Sequence, residues 1–224
     1  MSTIAASSPV NVGRTSNFVL KMIASAAILG AAVAFVRKYV FFYYLHYTPA
    51  GFAEGAANYW SLRGWLLLHI SGGMIALLTG PWQFWTGFRM RYAKLHRWTG
   101  RVFLGGVALG CIGAYRMAIV TTGGWGFGFA LLSLATAWFT TAGMALYAIL
   151  KGQVQVHKEW MVRAYVVTFA FVTFRVMYDY YPGSRLQPDA DRAVAVAWAC
   201  WVLPLLFTEI ILQLRRMSGA VSAR

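Results

Sequence analysis

Six apolar stretches, each long enough to cross a bilayer as a helix, constrain this chain more than any other feature. They run from Phe18 to Val36, Trp65 to Trp85, Trp98 to Val120, Phe127 to Leu150, Trp160 to Tyr178 and Ala193 to Leu214. A helix needs about 20 largely apolar residues to pass the hydrocarbon core. Only 12% of the 224 residues are charged, roughly half the share in a soluble domain, which is too little polar surface to cover a water-soluble globule. The expected fold is all-α: a polytopic membrane helix bundle of about six transmembrane helices, joined by short loops that make consecutive helices antiparallel neighbours.

A formal charge of +14 would suit nucleic-acid binding, but its placement argues for lipid. With the amino terminus inside, 13 of the 20 Lys and Arg residues fall on the cytoplasmic side, among them Arg89, Arg91, Lys94, Lys151 and Arg215, and 7 on the other. That bias predicts both termini in the cytoplasm, against the dissent of Arg37 and Lys38. The expected partners are the bilayer, including its anionic lipids, and a membrane-protein partner or second copy, with no nucleic acid.

Residues 1–16 read as a polar tail, 17–214 as one membrane domain and 215–224 as a basic tail. Two readings of the first apolar segment stay open. It is a retained span, extended by the aromatic run from Tyr39 to Tyr44, or a signal peptide cleaved near Ala32 and Ala34. Residues 47–63 read as a turn-rich loop that holds a short surface helix, and Arg89 to Lys94 as a compact loop. Cys111 and Cys200 lie within spans without a metal or redox spacing and are expected buried and unpaired. Gly72, Gly73, Gly80, Gly106 and Gly110 leave notches for close helix approach, and Pro81 and Pro204 interrupt helices whose freed carbonyls need other donors.

Two similar segments open the third and fifth spans: His96-Arg97-Trp98-Thr99-Gly100-Arg101 and His157-Lys158-Glu159-Trp160-Met161-Val162-Arg163. Each sets a histidine, a basic residue, a tryptophan and a deeper arginine at a helix amino terminus, where free N–H groups attract anions. The duplication of a helical hairpin would produce such a pair. The bland reading is that the cations obey the orientation rule and the tryptophans anchor the interface. Glu209, in the sixth span, needs a partner at that depth, and Arg101 and Arg163 are the expected choices for a structural ion pair. Towards the other face, His69, Arg116, Arg175 and Asp179 are expected to form an outer polar pocket, with Arg175 and Asp179 one helical turn apart and able to touch.

The sequence resembles the bacterial multi-pass membrane proteins of the domain of unknown function 2306 (DUF2306) family. The resemblance rests on His69 with Gly73, Gly80-Pro81-Trp82-Gln83-Phe84, Leu95 to Arg101, His157 to Tyr165 and Val172-Thr173-Phe174-Arg175. It covers roughly residues 60–212 and departs from the family pattern in the sixth span, where an asparagine often stands at the position of Pro204 or Leu205. It implies a bacterial cytoplasmic-membrane location and a shared polar set, and brings no established activity.

Two classes of function follow. In a redox protein, His96 and His157 would hold b-type haem, with no metal beyond its iron, or a quinone. Arg97, Arg101, Lys158 and Arg163 would then meet anionic groups, and Trp98 and Trp160 would lie beside the ring. In a non-redox protein, a small transporter, a lipid-interacting protein or an accessory subunit, the intramembrane charges mark a path or brace the bundle. No phosphate-binding loop, nucleophile motif or His-Glu-x-x-His site occurs, so the sequence leans away from an enzyme.

Overall fold

A computed structural model describes residues 26–45, 48, 60–180 and 189–222. Helix α1 covers 26–45 and contains a π-helical turn at Val36–Val40. Then follow α2 (Arg63–Phe84), the short α3 (Thr86–Arg91), α4 (Ala93–Ile119), α5 (Gly124–Leu150), α6 (Val154–Thr168), α7 (Ala170–Tyr180) and α8 (Asp189–Ser222). Among the described residues, five rods are long and apolar enough to cross a membrane: α2, α4, α5, the nearly continuous α6 and α7, and α8. The expected first span begins outside the described residues, which also exclude nearly all of the 47–63 loop. The segment from Arg89 to Lys94, expected as a loop, is largely helical, because Trp85 turns extended (φ −79°, ψ 103°) and the chain recoils into α3 before α4 begins.

The rods run alternately between two ends. One, here the basic end, holds α3, the starts of α4 and α6 and the close of α8; the other is the far end. Local chemistry sets the turn between α5 and α6. Gly152 sits at φ +71°, Gln153 N–H donates to the Ala148 carbonyl and Gly152 N–H to that of Ile149. This is the glycine-dependent termination in which two late carbonyls of a helix find donors just beyond its end. It folds α6 straight back along α5.

Helices α2 and α4 meet almost backbone to backbone. A Cβ placed on Gly72 would stand 2.3 Å from the Gly110 nitrogen and 2.5 Å from the Gly106 carbonyl oxygen. Without a hydrophobic drive between helices in lipid, such close dispersion contact is what holds neighbours together. The main core lies between α4, α5 and α6, where Phe103, Val107 and Cys111 meet Trp138, Ala142, Ala145 and Val167. Helix α8 packs on α5, α6 and α7, and α1 lays Ala32, Val36 and Val40 against Leu77 of α2.

Pro81 has no N–H to give the Leu77 carbonyl one turn earlier. Tyr165 of α6 supplies the missing donor, its hydroxyl 3.1 Å from that oxygen. Gly80 makes this possible, since a Cβ there would lie 2.1 Å from the Tyr165 ring. The break between α6 and α7 has a similar local cause. Thr168 turns its hydroxyl back to the Ala164 carbonyl at 2.8 Å while accepting from the Trp138 indole at 2.8 Å, a back-bond that tends to bend helices.

Gly72→Ala should lower stability by about 1–3 kcal/mol, the usual cost of overpacking a tight contact, because the obstructing atoms are backbone and cannot rotate away. Gly143→Ala, where a Cβ meets nothing within 4 Å, is the matched control. Thermal melting in a neutral detergent reads both, and equal midpoints would contradict the close-contact account.

Candidate functional site

At the basic end the sharp turn after α5 brings His157 against the helix it follows, and its Nδ1–H donates to the Ala145 carbonyl at 2.8 Å. His96 lies within electrostatic reach of His157, Arg89 and Arg97, and its Nδ1 is buried with no hydrogen-bond partner among the described residues. The two similar segments keep a matched geometry. The Arg101 guanidinium lies 5.1 Å from the Trp98 ring centroid and that of Arg163 4.7 Å from Trp160, both within cation–π range.

Their further contacts differ. Arg163 is buried and clasps Glu209 with two parallel bonds, Nε to Oε1 and Nη2 to Oε2, the second at 2.9 Å. It also stands 4.0 Å from Glu159, to which Arg216 donates in turn. Two arginines and two glutamates thus form one chain of charge that ties α6 to α8. Arg101 is not Glu209's partner: α8 packs on α5, α6 and α7, while Arg101 shares the exposed face of α4 with Trp98. Arg97 and Lys158 are exposed as well.

Nearer the far end, α1, α2, α4, α5, α6 and α7 surround a cavity of about 280 Å³. Its walls are mostly apolar and aromatic, and His69 and Arg175 are part of them. His69 reaches across the α2–α4 contact, and its Nδ1–H donates to the Gly110 carbonyl at 2.9 Å. Because a carbonyl only accepts, this bond fixes the tautomer and leaves Nε2 with a lone pair when the ring is neutral. Phe171 lies 4.9 Å from the His69 ring and 5.3 Å from Trp138 in an edge-on arrangement. Glycines admit these rings: a Cβ on Gly73 would come within 3.2 Å of Phe171, and one on Gly110 within 2.7 Å of Trp138.

Of the four residues expected in an outer pocket, the cavity takes His69 and Arg175. Arg116 points elsewhere: α4 faces the cavity with Ala114 and Met117, and Arg116 is exposed on another side of that helix. Arg175 and Asp179, spaced to touch, form no ion pair within 4.0 Å. Tyr39 stands between them, donating its hydroxyl to Asp179 Oδ2 at 2.8 Å and offering its ring to Arg175 at 5.7 Å. Tyr39, Trp138, Phe171, Glu159 and Arg216 were not among the expected site residues. The i to i+4 spacing of Glu159 and Arg163 was a readable signal, whereas nothing in one sequence tells that α1 would bring Tyr39 to α7.

The model of a family described as a predicted membrane protein, DUF2306, matches residues 66–212. No curated protein and no solved structure matches the chain. The matched region contains His69, both histidine segments, Arg175 and Glu209.

Arg163→Ala should cost about 3 kcal/mol, near the lower end for breaking a buried ion pair, since the Glu209 side chain is 38% exposed. Glu209→Gln, which still accepts a bond from Arg163, should cost about 1 kcal/mol. Denaturation in detergent measures both, and equal losses would mean that leaving Glu209 without its cation costs no more than neutralising it, contrary to the ion-pair account.

Proposed function

We propose a ligand-binding function on this footing: the chain belongs to the DUF2306 family of predicted membrane proteins, and its cavity beside His69 takes a small amphipathic molecule of the quinone class from the bilayer. The observation that carries this reading is a pair of complementary polar groups in an otherwise apolar wall. His69 Nε2 offers a lone pair, and Arg175 only donates. A quinol carries hydroxyls on a flat apolar body, which can donate to His69 Nε2 and accept from Arg175, while the oxidised quinone, which only accepts, answers Arg175. Small-molecule sites run to about 300–1,000 Å³, so 280 Å³ suits a head group of one or two rings. Aromatic walls from Phe171 and Trp138 suit the same shape.

We propose binding and assign no electron transfer. The positive-inside rule would turn the basic end to the cytoplasm and so place this ligand in the outer half of the membrane. A transporter or an accessory subunit would use the same cavity without redox chemistry.

Quenching of tryptophan fluorescence by menadione tests the proposal, because Trp138 lines the cavity. Quenching should saturate in purified protein and shrink in Trp138→Phe. Ala114→Phe, which fills the cavity from α4, should weaken binding by about tenfold or more, roughly 1.4 kcal/mol. Unsaturable quenching, or unchanged affinity in a folded Ala114→Phe variant, would end this reading.

A second reading, b-type haem at the basic end, is favoured by the bond from His157 to the Ala145 carbonyl. Imidazoles that ligate metals commonly spend one nitrogen in this way and coordinate through the other. His96, an electrostatic neighbour of His157 at the same end, would be the candidate for a second ligand. Absorption spectra before and after dithionite decide it. A reduced-haem band lost in His157→Ala would establish haem, and a colourless preparation at full stoichiometry would dismiss it.

A further inference from the structure

We infer that the molecule held in the cavity presents an oxyanion to Arg175. This rests on the ligand-binding reading above and adds the charge of the head group, which that reading leaves open. Arg175 lies on the membrane-spanning rod Val154–Asp179, four residues and therefore about 6 Å from its far-end limit. It is half-buried and lines the cavity. Charged side chains within a span are usually paired, line a cavity or, near its ends, reach for the interface.

The same rod shows what pairing looks like here. Arg163 is held by both oxygens of Glu209. Arg175 has no carboxylate within 4.0 Å among the described residues, and its recorded contact is the face of the Tyr39 ring at 5.7 Å. Asp179, the acid one turn away, is exposed and accepts the Tyr39 hydroxyl at 2.8 Å. Tyr39 thus holds the nearby carboxylate with its hydroxyl and leaves the guanidinium facing an apolar space. A ring in that space can place an oxyanion against Arg175. The ligand class that fits is a flat aromatic acid or hydroxyquinone, ionised at neutral pH.

Menadione and lawsone separate the two levels of the argument. They share a naphthoquinone ring, but lawsone has an acidic hydroxyl where menadione has a methyl and is an anion at neutral pH. In a neutral detergent, lawsone should bind the full chain about tenfold to a hundredfold more tightly, the scale of a hydrogen bond to a charged group. Arg175→Gln, whose amide still donates to a carbonyl, should abolish that preference and weaken menadione binding by a smaller factor, and thermal melting reports that the variant is folded. Arg175→Lys should keep part of the preference, and Arg116→Gln, removing a cation outside the cavity, should keep all of it. Equal affinities in the unaltered protein, or a preference that survives Arg175→Gln, would overturn the oxyanion while leaving quinone binding standing. If neither compound binds, the quinone reading and this inference fall together.

Discussion

The contact between α2 and α4 governs the arrangement around the cavity. Gly72, Gly106 and Gly110 let two backbones approach closer than any side chain would allow. That approach places the Gly110 carbonyl where His69 can reach it, and the lack of a side chain at Gly110 gives the Trp138 indole its place. A wider spacing would release His69 from its fixed tautomer and move one wall of the cavity. Packing and site geometry are here set by the same residues.

Lipid supplies no hydrogen bonds, so buried polar groups in a membrane bundle must find partners within it. Here several do so through side chains that act across helices. Tyr165 answers the carbonyl freed by Pro81, Thr168 receives the Trp138 indole, and His157 takes the Ala145 carbonyl. Among the described residues, His96 Nδ1 and Trp201 Nε1 are buried without a hydrogen-bond partner. His69 and Arg175 instead line the cavity, where a ligand can meet them.

Much of this was legible in the sequence. Apolar runs of spanning length gave the rods, because hydrophobic length is a one-dimensional property that survives folding. The depth of Glu209 demanded a cation, and spacing narrowed the choice to Arg101 and Arg163. What spacing lacked was which helix α8 packs upon, and that is what selects Arg163. Similarly, periodicity puts Asp179 next to Arg175 on one helix face but says nothing of a tyrosine arriving from α1. Arg116 went astray for a related reason: matching its depth to Arg175 ignored its angle about the helix axis, which turns it from the face carrying Ala114 and Met117. Length and depth are written in the chain order, whereas azimuth and helix neighbours come from packing.

The paired histidine segments drew attention because their cations cluster at helix amino termini. Their neutralisation differs from what that pattern suggests. Arg163 and Arg216 are matched by Glu209 and Glu159, so this part of the basic end balances its own charge and makes little demand for an added anion. Its bonds join α6 to α8, which fits a brace. Arg175 has the opposite situation: among the described residues it has no carboxylate within 4.0 Å, and the acid one turn away is engaged by Tyr39. An anion requirement follows from uncompensated charge in a low-dielectric setting, not from the number of cations. By that criterion the far-end cavity, rather than the cation-rich end, is where this bundle has an interaction to complete.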